Sequence, residues 1–160
     1  AITLQEAGQP DVEFSVDVPD TSVPIAIDAT MISQALTNLL KNAGEAIEAR
    51  REKSKTSDVK GRIVIKMTNT PQQVHISIAD NGTGLPTDRS RLFEPYVTTR
   101  DKGTGLGLAI VRKIIEEHGG ILRLEDAEAF DGANFQGAKA VVILPVQSLP
   151  NDTVMTKEVK

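Results

Sequence analysis

Cysteine is absent from all 160 residues, which excludes disulfides, thiolate metal sites and a cysteine nucleophile and agrees with a reducing compartment. A basic stripe is lacking as well: 18 Lys and Arg are interspersed among 22 Asp and Glu, for a formal charge of -4. Neither nucleic acid nor an anionic membrane is an expected partner of such a surface. There is no long apolar run and no signal peptide, so a soluble chain is expected, whether or not it belongs to something larger. What is present is a composition 39% hydrophobic, sufficient for one core and too short for two.

Glycine is concentrated where it matters. Asp80-Asn81-Gly82-Thr83-Gly84 and Gly103-Thr104-Gly105-Leu106-Gly107-Leu108 lie within one short stretch, and the second cluster runs into an apolar segment with helical spacing. Glycine lets a ligand approach the main chain closely, and a helix start offers unpaired amides and a positive dipole end to phosphate oxygens. Polyphosphate is the ligand this pairing suggests. Taken alone, each cluster also reads as a plain turn or a glycine hinge.

Residues 1–9 read as the end of a helix. Val12, Phe14, Val16 and Val18 alternate with polar residues as a half-buried strand. After a loop at Pro19 to Pro24, Asp28 is placed to cap a helix that runs to about Glu52. Its apolar positions Ile32, Leu36, Leu39, Leu40, Ala43, Ala46 and Ile47 recur at three- and four-residue steps. Lys53 to Gly61 is polar and aperiodic, an exposed loop. Arg62 to Thr68 and Val74 to Ala79 alternate as strands around a hairpin turn at Asn69 to Gln72, and the second strand delivers Asp80 at its end. A helix from Leu106, with Ala109, Ile110, Lys113 and Ile114 on its apolar face, stops at Gly119-Gly120. Strands Ile121 to Glu125 and Lys139 to Leu144 close the domain, and a polar, disordered tail follows Pro145. The result is an α+β fold: a two-layer sandwich of a mixed, mainly antiparallel sheet packed on about three helices, its open face holding the ligand.

Asn38 and Asn42 are one helical step apart, so their amides face the same way, and a carboxamide oxygen suits a hard cation. Both can equally satisfy backbone groups in a buried helix. Asp80 can offer a buried carboxylate to an exocyclic amine. Arg100 and Lys102 can stand over phosphates or in solvent, Phe93 can anchor a lid or fill the core, and Thr104 can cap a helix or touch phosphate.

These segments, in this order, resemble the ATP-binding catalytic domain of sensor histidine kinases, in the superfamily shared with gyrase, Hsp90 and MutL. The asparagine box is similar to Asn38-Leu39-Leu40-Lys41-Asn42-Ala43, the first glycine box to Asp80 through Gly84, and the F box to Phe93-Glu94-Pro95-Tyr96. The second glycine box is similar to Gly103 through Leu108, and the last box to Gly137-Ala138 with Leu144-Pro145. The first four of these boxes, in this order, make a specific match, and the resemblance covers nearly all of Asp28 to Pro145. The wording Asn-Ala-Gly-Glu-Ala-Ile and Glu-Pro-Tyr-Val-Thr-Thr-Arg-Asp-Lys-Gly most resembles the nitrogen-regulation branch of these kinases.

The resemblance implies a Bergerat-type fold spanning residues 10–146, preceded at 1–9 by the end of a linker helix from a dimerisation domain and followed by a tail at 147–160. It implies ATP and Mg2+ as cofactors, Asn42 as the magnesium ligand, and Asn38, Arg100 and Lys102 as catalytic residues. Asp80 would read the adenine amino group. Further nucleotide contacts would be Glu45, Ala46, Gly82, Gly84, Leu85, Thr98, Thr99, Gly103, Thr104, Gly105, Leu106, Gly107, Leu108 and Ala138. The implied partners are the dimerisation and phosphoacceptor domain of the same protein and, through it, a response regulator. The implied location is cytoplasmic, within a membrane-anchored sensor kinase and without direct membrane contact.

Two departures bear on function. Glu45 stands three residues after Asn42, where many family members carry Lys or Arg aimed at phosphate, and its role stays open. Neither His75 nor His118 lies in the His-Glu or His-Asp context of a phosphoacceptor helix, so both read as structural surface residues. A kinase domain without its own acceptor is the leading expectation. The others are a gyrase-type ATPase, an anti-sigma-factor serine kinase and a non-catalytic nucleotide sensor.

Overall fold

Hydrophobic alternation along the chain builds one five-stranded sheet. The computed structural model describes residues 12–19, 25, 27–54, 60–86, 89, 92–93, 107–128 and 137–146. Its strands are β1 (Val12–Asp17), β2 (Gly61–Asn69), β3 (Gln73–Asp80), β4 (Ile121–Asp126) and β5 (Ala138–Pro145), and its helices are α1 (Ala29–Ser54) and α2 (Gly107–Glu117). The strand order is β1-β2-β3-β5-β4. Strand β1 runs parallel to β2, and the other three pairings are antiparallel. This is the mixed, mainly antiparallel sandwich that the pattern predicts; the helix expected at 1–9 and the tail expected at 147–160 lie outside the described residues.

Register decides which residues meet the helices. Ile63 pairs with Asp80 and Ile65 with Ile78 between β2 and β3. Ile78 pairs with Ala140 and Ile76 with Val142 across to β5, and Leu122 pairs with Val142 at β4. Cross-strand partners share a face, so these side chains form the floor of the core. The helices bring Ile32, Ala35, Leu39, Leu40, Ala43, Ile47, Val111, Ile114 and Ile115 down onto it. Each Leu or Ile fully buried there contributes about 1.5–3 kcal/mol from apolar surface removed from water.

Both ends of the helical layer are set by local chemistry. Asp28 caps α1 as expected, its Oδ1 accepting from the amides of Thr30 at 3.0 Å and Met31 at 3.1 Å and so satisfying donors that have no partner within the helix. At the end of α2, Gly119 adopts φ +74. The amides of Gly120 and Gly119 reach back to Ile115 and Glu116 at 2.9 and 3.0 Å, the double bond of a left-handed glycine stop.

Several expectations need correction. The buried face of α2 is Val111, Ile114 and Ile115 with Leu108 packed beside them, whereas Ile110 is 37% exposed and Lys113 is exposed. The run Leu108-Ala109-Ile110-Val111 is apolar all round, so periodicity there does not select a face; packing against α1 and β4 does. The expected loop at Lys53 to Gly61 is shorter. Lys53 and Ser54 complete α1, where basic residues suit the negative end of the helix dipole, and Gly61 opens β2. A Cβ on Gly61 would lie 2.6 Å from Ile47 Cγ2, so this glycine is a close-packing residue of the sheet. Finally, Val16 and Val18 are 45% and 50% exposed, because β1 is an edge strand of which only Val12 and Phe14 reach the core.

Candidate functional site

Alternation along β3 carries Asp80 to the strand's end, and its pairing with Ile63 turns it toward the helices. The result is a carboxylate only 5% exposed. Its Oδ1 accepts from the Gly82 amide at 2.8 Å and lies 3.5 Å from the Ala138 amide at the start of β5. The candidate residues therefore gather between the layers at one end of the sandwich. The outer face lacks a buried acceptor of this kind among the described residues.

Asn81, 3% exposed, locks this strand end. Its Oδ1 accepts from the Arg62 amide at 2.8 Å, its Nδ2 donates to the Lys60 carbonyl at 3.0 Å, and its own amide donates to the Arg62 carbonyl at 3.3 Å. The Asn81 carbonyl in turn accepts from Nη1 of Arg50, a residue of α1 that is 5% exposed. Burial, followed by the neighbouring charge of Arg51, lowers the Arg50 pKa from its ordinary value, while the Asp80 carboxylate pushes it back up.

Glycines allow these parts to close on one another. A Cβ on Gly82 would lie 2.5 Å from the carbonyl carbon of Ala46, and the next amide, of Thr83, donates to the Ala46 carbonyl at 3.2 Å. Gly84 takes φ 79, a left-handed conformation that favours glycine. Gly137 abuts the main chain of Asp80. At the start of α2, the Cβ position of Gly107 is 3.6 Å from Asn42 Oδ1, so the asparagine box faces the amide-rich helix terminus that ends the second glycine box.

The structure thus brings together Asn42, Ala46, Asp80, Gly82, Gly107 and Ala138. Asn38 and Glu45 are half-buried on α1, Gly84 and Leu85 are half-buried after the strand, and Leu108 is half-buried at the start of α2. Thr98, Thr99, Arg100, Lys102, Gly103, Thr104, Gly105 and Leu106 lie outside the described residues. Phe93 packs on the core with the Arg112 guanidinium 5.0 Å from its ring centroid, a cation over an aromatic face. His118 is more than a surface residue: its Nδ1 meets the Ile114 carbonyl at 2.7 Å, and its Nε2 accepts from the Asp28 amide at 3.0 Å.

Sequence reasoning missed Arg50 as part of this site, although it left a signal: Ala43, Ile47 and Arg50 fall at three- and four-residue steps, which puts a cation on an otherwise apolar stripe. Asn81 and Gly137 lie within the first glycine box and the last box, but their contacts to Arg62, Lys60 and Asp80 join segments distant in sequence.

The residues present suit an adenine nucleotide. Asp80 is a buried carboxylate acceptor of the kind that an exocyclic amine needs, and the Asn42 side-chain amide faces a helix start of the kind that suits phosphate. Sandwich and site together define a histidine kinase-, DNA gyrase B- and HSP90-like ATPase domain. The model of that family matches residues 27–148, and the chain belongs to it.

Among relatives, it is 52% identical over 135 residues to the nitrogen regulation protein NtrY of Azorhizobium caulinodans, covering 82% of this chain and 17% of that protein. It is 35% identical over 156 residues to the signal transduction histidine-protein kinase AtoS of Escherichia coli, covering 96% of this chain and 23% of that one. The chain thus spans less than a quarter of either relative. The solved mycobacterial sensor histidine kinase MprB superposes with a TM-score of 0.75 at 27% identity, covering 91% of both chains. Full-length ShkA in complex with AMPPNP superposes with a TM-score of 0.68 at 26% identity, covering 92% of this chain and 29% of that one.

Proposed function

We propose that this chain is the catalytic domain of a membrane-anchored sensor histidine kinase of the nitrogen-regulation type. It holds Mg-ATP so that the γ-phosphoryl reaches a histidine on a separate dimerisation domain, from which a response regulator takes it. The observation that carries the reading is the buried Asp80 carboxylate at the end of β3, set among Gly82, Gly137 and Ala138, a hydrogen-bond acceptor of the kind an exocyclic amine needs. Adenine presents an amine to such an acceptor. Guanine presents a carbonyl, leaving two acceptors face to face at a cost of a few kcal/mol.

Bound ATP supplies the phosphoryl group, and magnesium neutralises its charge. Asn42 would offer one oxygen to the cation, and the remaining ligands would come from phosphate and water, as is usual for magnesium. Asn38 lies one helical turn earlier on the same side. It cannot take a proton from water as a glutamate would, which favours transfer to a protein acceptor over hydrolysis. Gly103, Gly105 and Gly107 would offer main-chain amides to the triphosphate, and Thr98, Thr99, Arg100 and Lys102 would supply the hydroxyls and cations that phosphoryl transfer needs. No helix among the described residues is long and apolar enough to cross a membrane; the anchor is assigned to the rest of the protein.

The test is calorimetry with ATP, ADP and GTP, with and without magnesium, on this chain and on Asp80→Asn. Binding is expected to be adenine-selective and strengthened by magnesium, and to fall by roughly tenfold or more in the variant. Equal affinity for ATP and GTP would remove the reading.

A further inference from the structure

Arg50 is expensive where it stands. Arg50 as a residue is only 5% exposed, so its side chain has given up much of its hydration, and an apolar residue of similar volume on the same stripe is often as stabilising or more so. The structure shows what the cation holds. Helix α1 grips the first glycine box on both sides of Gly82: Arg50 Nη1 donates to the carbonyl of Asn81, and one turn earlier the Ala46 carbonyl accepts from Thr83. The amide and side chain of Asn81 are already spent on Arg62 of β2 and on Lys60 just before it. The Arg50 bond therefore fastens the Asn81 carbonyl, the group leading directly into Gly82, whose amide binds the Asp80 carboxylate at 2.8 Å.

We propose that Arg50 is a specificity-determining positioning residue: by clamping the Asn81 carbonyl and lying beside Asp80, it holds that carboxylate in place to recognise the amino group of adenine. The inference rests on Asp80 being the adenine reader, and it adds a residue that never touches the base. A guanidinium suits the task because its planar fork offers several donors in fixed directions, so one side chain can hold a carbonyl and still present charge to a neighbouring carboxylate.

The test compares the parent chain with Arg50→Met, Arg50→Lys and Asp80→Asn. Calorimetry is run with ATP, GTP and inorganic triphosphate, and the amide proton of Gly82 is followed by NMR without nucleotide. Arg50→Met is expected to weaken ATP roughly tenfold while GTP and triphosphate bind as before, and to move the Gly82 amide resonance. Arg50→Lys keeps the charge but loses the fork, and is expected to fall between; if Arg50→Met does not fold, the lysine variant decides. Folded variants with parental ATP affinity and ATP-to-GTP ratio, beside an Asp80→Asn that has lost both, would overturn the role of Arg50 alone. Parallel weakening of all three ligands would also overturn it, because that is the mark of a loosened fold. Parental binding by Asp80→Asn would overturn the adenine reading itself, and this inference with it.

Discussion

Gly137 and Asp80 meet main chain to main chain: a Cβ on Gly137 would overlap the Asp80 carbonyl oxygen and lie 2.7 Å from its carbonyl carbon. Overlap with backbone cannot be relieved by a rotamer change, so Gly137→Ala must push the start of β5 away from the end of β3. The expected cost is about 1–3 kcal/mol, as for other overpacked sites. ATP affinity should fall with it, because the Ala138 amide beside Asp80 moves too. Urea unfolding and calorimetry read the two effects, and an alanine variant with the parental midpoint would show that this contact has slack.

Gly82 makes the same demand on α1. Its added Cβ would lie 2.6 Å from the Ala46 methyl, but also 2.5 and 2.7 Å from the Ala46 carbonyl carbon and oxygen. Trimming the methyl leaves the main-chain overlap, so Ala46→Gly is expected not to rescue Gly82→Ala. The double variant should be less stable than Gly82→Ala by about 1 kcal/mol, the cost of glycine inside a helix. Thermal unfolding of the single and double variants tests this, and rescue would mean that the methyl alone is the obstacle.

The fold was largely legible because its main signals are local. Alternation at Ile63-Ile65 and Val74-Ile76-Ile78, the Asp28 cap and the Gly119-Gly120 stop each declare an element within a few residues. The first glycine box was legible for the same reason, as one continuous string ending a strand. What escaped depends on contacts between distant segments. The buried side of α2 is chosen by α1 and β4, Gly61 by Ile47, and Gly137 by Asp80, 57 positions away in sequence. Arg50 shows the limit most clearly. The helical stripe places it in the core, but the approach of Asn81 from a distant segment, which engages its guanidinium, is not written in the local pattern.

His118 ties the end of one helix to the beginning of the other. Since Nε2 accepts the Asp28 amide at 3.0 Å, the ring proton sits on Nδ1 and is donated to the Ile114 carbonyl at 2.7 Å. His118→Leu removes both bonds and is expected to cost roughly 1–3 kcal/mol, two net hydrogen bonds. ATP affinity should stay at the parental level, because Asn42 meets α2 at Gly107, the opposite end of a helix about 16 Å long at 1.5 Å per residue. Thermal unfolding paired with calorimetry separates the two readouts. A weakened ATP complex in a fully folded variant would show that the ends of α2 are coupled.

Neither histidine is placed to receive phosphate from a nucleotide at Asp80 and Asn42. His75 is five residues before Asp80 on β3, roughly 17 Å along a strand, and it projects from the opposite face, with its Nε2 3.1 Å from Gln73 Oε1. His118 stands at the far end of α2, with both ring nitrogens engaged. Incubation of this chain with γ-labelled ATP is therefore expected to leave it unlabelled. Addition of the helical dimerisation domain of the same protein should give label on that second polypeptide, with the acid lability of phosphohistidine. The variants Asp80→Asn and Asn42→Ala should suppress it, one by losing the base and the other by losing the cation. Acid-labile label on His75 or His118 of this chain alone would mean that the acceptor is internal, and the two-domain reading would have to be abandoned.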